Sequence, residues 1–232
     1  MNKIGIIGAM DEEVNQLKEK MTDVSVKVKA GMEFFSGKLY SKDVVIVRSG
    51  IGKVNAAVCT QILIDDFQID IVINTGIAGS LKAEINIGDM VISTDALQHD
   101  MDATGFGYGY GVIPRMETSV FKADTELTNK AKAVCSRVNP DISVFLGRIV
   151  SGDQFISSKE KKEWISRQFD GYCTEMEGAA IAQTAYLNNI PFLIIRAISD
   201  KADNSAHMDY GLFEAKAINH AVKFVTAFVA EL

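Results

Sequence analysis

Four carboxylates and one arginine stand where this chain is best placed to do chemistry: Glu13, Glu175, Glu177, Asp200 and Arg196. Glu13 comes shortly after the apolar run 4–7 and Gly8. Glu175 and Glu177 flank Met176, just ahead of the small apolar run 178–182. Arg196 lies on the apolar run 192–198, and Asp200 follows its end beside Ser199. In open α/β sheets ligands bind beyond the carboxyl ends of the strands, so these groups converge on one rim. The same rim takes Ala9-Met10, Ser49-Gly50-Ile51-Gly52, Thr75-Gly76-Ile77-Ala78-Gly79-Ser80 and Ser151-Gly152-Asp153-Gln154-Phe155-Ile156. Acids held in unlike surroundings are how acid and base roles are separated. Each has a plainer reading when taken singly. Glu13, with Asp11 and Glu12, suits a first helical turn, where the helix dipole favours negative charge. Glu175 and Glu177 suit the charged start of a helix, yet so apolar a helix start holds carboxylates only with partners.

Other patterns carry less. Gly50-x-Gly52-x-x-Asn55 lacks the third glycine of a dinucleotide fingerprint and the acidic residue ~20 positions on, which leaves a tight turn with close packing. Gly52-Lys53 is no P-loop, because Val54 stands where Ser or Thr must hold magnesium. His99, Asp100 and Asp102 have no matched metal-binding partner elsewhere and read as loop residues. No G-x-S-x-G elbow exists for a serine hydrolase. Phe106, Tyr108 and Tyr110 alternate with glycines, as on a surface loop, an interface or a pocket wall.

The elements that must position these groups follow from periodicity. Residues 4–7 predict a short buried strand. A helix from Met10 puts Met10, Val14, Leu17 and Met21 at a 3.6-residue period. Extended segments follow at 24–29, 34–39 and 44–47, with Tyr40-Ser41-Lys42-Asp43 as a hairpin turn. Gly50-Ile51-Gly52 opens a second helix through Val54, Val58, Ile62 and Leu63. Residues 70–74 read as a buried strand ending in a glycine-rich turn, Thr75-Gly76-Ile77-Ala78-Gly79. Further strands are expected at 88–94, 144–150 and 191–198, and helices at 124–137, 176–187 and from Asp209 on. Ser157 or Ser158 caps a charged helix carrying Trp164. Strands alternating with helices, several apolar on both faces, indicate an α/β sandwich whose largely parallel sheet the early hairpin makes mixed.

Composition bounds the rest. At ~150 residues per domain, 232 residues allow one large domain or two small ones. Three prolines against 18 glycines favour one compact unit, residues 1–232. A hydrophobic share of 47% and a charged share of 23% exclude disorder, collagen and coiled coil. A formal charge of −6 with no basic block argues against nucleic acid or an anionic membrane as partner. Cys59, Cys135 and Cys173 are far apart and odd in number, which fits a reducing compartment. The apolar run 4–10 is too short for a signal peptide, and no run reaches the ~18 residues of a membrane span, so the cytosol is expected.

Taken together, Gly5-Ile6-Ile7-Gly8-Ala9-Met10 with Glu12-Glu13, Ser49-Gly50-Ile51-Gly52-Lys53-Val54, Asn74-Thr75-Gly76, Val150-Ser151-Gly152-Asp153, Glu175-Met176-Glu177 and Arg196-Ala197-Ile198-Ser199-Asp200 are in order along nearly the whole chain. In this the chain resembles the bacterial 5′-methylthioadenosine/S-adenosylhomocysteine nucleosidases of the nucleoside phosphorylase/hydrolase superfamily. The resemblance implies a three-layer αβα sandwich around a twisted mixed sheet, working as a homodimer. It implies hydrolysis of the N9–C1′ bond of methylthioadenosine, adenosylhomocysteine and 5′-deoxyadenosine, in methionine salvage and methyl-cycle detoxification, with no metal or cofactor. By resemblance Glu13 activates water, and Asp200, protonated through burial, donates to adenine N7. Glu177 holds the ribose hydroxyls, with Glu175 beside it. Met176 packs beneath the sugar, and Arg196 helps place the water and Glu177. Phe155 stacks on adenine, the Ile156 backbone reads the base edge, and Ser199 assists Asp200. Ala9, Met10 and Ile51 line the site. A loop with Ala103, Phe106, Tyr108 and Pro114 covers the 5′ substituent in the partner's site. Two positions depart from the family: Ile77 replaces a usual serine near the ribose, and Tyr210 replaces a phenylalanine of the 5′ pocket.

The nearest competitor is a purine nucleoside phosphorylase of the same fold. Phosphate as nucleophile needs cationic clamps, whereas Asp11-Glu12-Glu13 and Asn74 stand where those relatives place arginines. Futalosine-type nucleosidases are separated poorly by sequence. A silent nucleoside-binding protein would have lost the acid or the base, and Glu13, Glu177, Arg196 and Asp200 are all present. A nicotinamide-dependent Rossmann enzyme is disfavoured by the broken fingerprint.

Overall fold

Strand β1 (Ile4–Gly8) is buried along its whole length. It runs parallel to β4 (Lys42–Arg48) on one edge and to β5 (Ile71–Ser80) on the other. With helices over both faces it has no wet side, which is why Ile4, Ile6 and Ile7 show no polar alternation. The computed structural model describes residues 3–203 and 206–232, with the backbone alone for 207–212. Around β1 follow α1 (Asp11–Lys18), β2 (Thr22–Lys29), β3 (Met32–Leu39), α2 (Lys53–Phe67), β6 (Met90–Gln98), β7 (Phe121–Lys122), α3 (Thr125–Val138), β8 (Val144–Ser151), α4 (Lys159–Phe169), β9 (Cys173–Glu175), α5 (Gly178–Leu187), β10 (Phe192–Asp200) and α6 (Ala206–Glu231). Helices α1, α3 and α6 cover one face, and α2 with α5 covers the other. No helix is long and apolar enough to cross a membrane among the described residues.

The sheet is mixed, as the hairpin predicts. Strands β2, β3 and β4 are antiparallel neighbours, and the turn between β3 and β4 shrinks to Tyr40-Ser41, because Leu39 already faces Lys42 and Lys38 faces Asp43. Tyr40 takes the left-handed conformation (φ 56°) that so tight a loop demands. The other half of the sheet closes on itself. Strand β10 runs parallel to β5 and antiparallel to β6. Strand β6 runs parallel to β8, β8 parallel to β9, and β9 returns antiparallel to β5. The short strands β7 and β9 have no periodic signal of their own.

One expectation is corrected here. The glycine-rich stretch Thr75-Gly76-Ile77-Ala78-Gly79 is not a turn but the second half of β5, paired residue by residue with β10. Its small residues serve close approach rather than chain reversal. A Cβ on Gly76 would lie 2.5 Å from Glu13 Oε1 and 3.4 Å from Arg196 Nη1, so the bare backbone makes room for those side chains. Pairing between β5 and β10 slips by one residue between Ile198 and Asp200, the mark of a β-bulge. The bulge re-aims the strand end and lets adjacent residues Ser199 and Asp200 both face one cavity.

Gly76→Ala is therefore expected to destabilise the protein by about 1–3 kcal/mol, since the added methyl must push aside a hydrogen-bonded carboxylate. Urea denaturation measures this. An unchanged midpoint would show that Glu13 has slack the close approach does not suggest.

Candidate active site

The site is built around a guanidinium with almost no contact with water. Arg196, in the middle of β10, is 2% exposed. Its Nη2 donates to Glu175 Oε2 and Asn74 Oδ1, and its Nη1 donates to the Ile195 carbonyl at 3.0 Å. Glu175, at the end of β9, is saturated. Its Oε1 accepts the Ser151 hydroxyl, and its Oε2 also accepts the backbone N–H groups of Glu177 (3.1 Å) and Gly178 (2.8 Å). Burial raises the Glu175 pKa, but the Arg196 charge and these donors outweigh it and hold the carboxyl below its ordinary range.

Glu13 occupies the third position of α1 and folds back over the helix start. Its Oε2 accepts the N–H groups of Ala9 (2.6 Å) and Met10 (3.0 Å), and its Oε1 accepts that of Ile77 (3.2 Å). It is buried rather than a surface residue of the first turn. Burial pushes its pKa up, against the pull of Arg196 and the three backbone donors. Glu177 precedes α5 and accepts the Gly52 N–H at 2.8 Å, at the start of α2. Burial first, then the neighbouring Glu175 charge, push its pKa to about 8. Three helix starts thus point at this carboxylate group, and their N–H groups join Arg196, the Ile77 N–H and the Ser151 hydroxyl as its donors.

The loops carrying these starts are tied to one another. Lys53 Nζ donates to Asp100 Oδ1 (2.6 Å) and Gln98 Oε1 (3.0 Å). The second Asp100 oxygen accepts the Asp153 N–H at 2.9 Å, and Asp153 Oδ1 accepts the Lys53 N–H at 2.8 Å. Asp100, read from the sequence as a loop residue, is thus a hydrogen-bonded structural anchor. Asp102 turns its carboxylate to the Thr104 N–H and hydroxyl. His99 is buried against Gly152, and burial lowers its pKa to about 4, which keeps the ring neutral at neutral pH.

A cavity of about 410 Å³ opens over this group. Of the residues singled out in the sequence, Ala9, Met10, Glu13, Ile51, Ile77, Phe155, Glu175, Met176, Glu177, Ser199 and Asp200 line it. Ile51 and Phe155 are half-exposed at its mouth. Asp200 is buried, with Oδ2 accepting the Ser199 hydroxyl at 2.8 Å and Oδ1 accepting the Ala202 N–H at 2.7 Å. Arg196 lies beneath the cavity floor rather than in its wall. The Ile156 side chain points into a separate apolar cluster with Leu81, Leu97, Val150, Ile165, Phe169 and Ala202. Ala103, Phe106, Tyr108 and Pro114 do not line the cavity of their own chain. The Tyr210 side chain lies outside the described residues. Ala78 and Gly79, which the sequence places on the same rim, are in the wall, while sequence reasoning missed Thr174 there, and Ser151 and Asn74 as partners of the buried ion pair.

The raised Glu177 pKa has a consequence for stability. A carboxyl that titrates near 4.5 unfolded and near 8 folded adds stability below pH 4.5, and that contribution is lost as pH rises through 8. Glu177→Gln removes the titration. The variant is expected to lose less stability than the unaltered protein between pH 5 and pH 8.5, by an amount on the order of a few kcal/mol. Thermal melts at both pH values test this, and parallel pH dependence in the two proteins would rule out the shift.

Comparison with known proteins agrees with this geometry. The family model of the phosphorylase superfamily matches residues 3–230. A 5′-methylthioadenosine/S-adenosylhomocysteine nucleosidase of Staphylococcus aureus (strain JH9) is 45% identical over 230 residues, which is 99% of this chain and 100% of that protein. The crystal structure of a nucleosidase of the same name from Colwellia psychrerythraea 34H, in complex with adenine, superposes with a TM-score of 0.95 at 40% identity, covering 100% of this chain and 96% of the other. The corresponding structure from Neisseria meningitidis, in complex with methylthio-immucillin-A, gives a TM-score of 0.95 at 40% identity over 100% of both chains. With an end-to-end match of this kind in sequence and in fold, the chain belongs to the phosphorylase superfamily and, within it, to the 5′-methylthioadenosine/S-adenosylhomocysteine nucleosidases.

Proposed function

We propose that this protein hydrolyses the N-glycosidic bond of 5′-methylthioadenosine and S-adenosylhomocysteine, releasing adenine and the 5-substituted ribose, with 5′-deoxyadenosine as a third substrate. One observation carries the choice of water over phosphate. Glu13 and Asp200 line the same cavity, and no arginine, lysine or histidine side chain lines it among the described residues. Arg196 is engaged by Glu175 and Asn74 below the floor. A phosphate would meet carboxylates with no cationic clamp, whereas a water beside Glu13 meets a base.

The chemistry follows from the residue types. Glu13 accepts a proton from water as the oxygen closes on C1′. The N9–C1′ bond breaks with its electron pair going to the purine, and protonated Asp200 delivers a proton to N7, so adenine leaves neutral. The sugar passes through an oxocarbenium-like state, as in glycoside hydrolysis. The Glu13 carboxylate favours the positive charge that develops there. Glu177 accepts the ribose hydroxyls, with Arg196 and Glu175 holding it in place. Met176 packs under the sugar and Phe155 against the base. The Ile156 backbone reads the base edge, and Ser199 orients Asp200. Ala9, Met10, Ile51 and Ile77 complete the wall.

The same reading makes the protein a homodimer in which Ala103, Phe106, Tyr108 and Pro114 of one protomer cover the 5′ substituent bound by its partner. It is supported by the exposure of large apolar side chains on these segments. Phe106 is 86% exposed and Tyr108 is 37% exposed on these segments. Sedimentation is expected to give a dimer, and Phe106→Asp to weaken methylthioadenosine turnover. A monomer with full activity would remove the cross-subunit role.

The direct test is adenine release from methylthioadenosine with and without phosphate. Release indifferent to phosphate, with free methylthioribose as product, is the expected outcome. Release that requires phosphate and yields a sugar 1-phosphate would make the protein a phosphorylase. Asp200→Asn and Glu13→Gln are each expected to lower kcat by about 10²–10⁴-fold with substrate still bound. Near-normal turnover in either variant would remove that residue from the mechanism.

A further inference from the structure

Asp200 depends on a turn that is held from the far side of the base pocket. Its Oδ1 accepts the N–H of Ala202, whose backbone sits in the left-handed region at φ 51°. A residue with a Cβ takes that conformation only when its surroundings impose it. Here the surroundings are α4. Ala202 is fully buried in the apolar cluster that includes Ile165 and Phe169 of that helix. Lys162, on the same helix, donates its Nζ to the carbonyl of Lys201, the residue after Asp200. The same Nζ lies 3.7 Å from Asp203 Oδ2. The Lys162 side chain is only 17% exposed, so water competes weakly for this tie. Helix α4 begins at its Ser158 cap, two residues after Ile156. One helix therefore leads out of the segment carrying Phe155 and braces the turn carrying Asp200.

We propose that Lys162 is a positioning residue for Asp200: its ammonium fastens α4 to the Lys201 carbonyl and the Asp203 carboxylate, and so holds the turn from which Asp200 reaches the base. The proposal rests on the reading of Asp200 as the proton donor. Lys162 touches no substrate atom. It keeps the Ala202 N–H, and with it the Asp200 carboxyl, at a fixed distance from a base stacked on Phe155. Lys201 points its own Nζ the other way, to the carbonyl of Ile85, so the turn is tied on both sides.

The test compares Lys162→Met, which keeps length and loses the charge and donor, with Lys162→Arg, which keeps both. Each is measured with methylthioadenosine in the full-length protein and in an Asp200→Asn background. Single-turnover conditions allow the slow variants to be read. A small misplacement of a reacting group costs up to ~10²-fold, so Lys162→Met is expected to lower kcat by about 10-fold with little change in KM. Lys162→Arg is expected to restore most of that loss. In the Asp200→Asn background, where no acid remains to be placed, Lys162→Met is expected to change the rate by less than about 2-fold. An unchanged kcat in Lys162→Met would overturn the proposal. So would an equal loss with and without Asp200, which would mark a general packing defect. Should Lys162→Met melt below the assay temperature, Lys162→Gln carries the same comparison. A near-normal rate in Asp200→Asn alone would instead refute the role of Asp200 and remove the basis for the tie, and that control separates the two failures.

Discussion

Three glutamates share one buried arginine. Glu13, Glu175 and Glu177 all surround the guanidinium of Arg196, and none of the four is in good contact with water. One positive charge cannot offset three negative ones at low dielectric, so the group cannot be fully ionised at modest energy. The proton goes where compensation is poorest. Glu175 has the arginine, a hydroxyl and two backbone donors and stays charged. Glu177 has one backbone donor and a charged neighbour, and it binds a proton up to about pH 8. Glu13 is raised by burial and held back by Arg196 and three N–H groups. The unequal distribution of partners is thus what gives three identical side chains different chemistry.

Much of the fold serves this constraint. Carboxylates this far from solvent need donors, and the starts of α1, α2 and α5 bring backbone N–H groups to the same place. Only a sheet that closes on itself lets β5, β9 and β10 meet at one end so that these helices converge. The β5 backbone must then pass within van der Waals reach of Glu13 and Arg196, which leaves room for hydrogen alone at Gly76. The bond network of Lys53, Asp100 and Asp153 fixes the loops between these elements, and through Gly52 it fixes the partner of Glu177. A buried ion cluster of this size adds little net stability over an apolar core, and breaking such a pair costs ~3–5 kcal/mol. Its retention makes sense as chemistry rather than as scaffolding.

Asp200 stands apart from this group. No arginine side chain lines the cavity wall among the described residues. The two Asp200 oxygens take a hydroxyl and one N–H from its own turn. A bulge at the end of β10 turns it into the cavity, and α4 backs the turn behind it. Glu13 and Asp200 thus sit on separate supports, one on a dense electrostatic cluster and the other on a packed turn.

The amino-acid sequence by itself determined the alternation of strands and helices, the apolar character of β1, β8 and β10, and the carboxylates and arginine worth attention, because those depend on local periodicity and on residue type. Asp124 and Ser158 were legible as helix starts for the same reason. Only the tertiary structure decided that Thr75 to Gly79 is strand rather than turn, because glycine signals both chain reversal and close approach, and only the neighbours β10 and Glu13 tell them apart. It also decided that Glu13 folds inward, that Asp100 anchors Lys53, and that β9 exists at all, since a three-residue strand has no period to read. The differing pKa values of the three glutamates lay furthest from the sequence. They arise from burial and from partners up to 183 positions away along the chain, as Arg196 is from Glu13, and that proximity exists only once the sheet has closed.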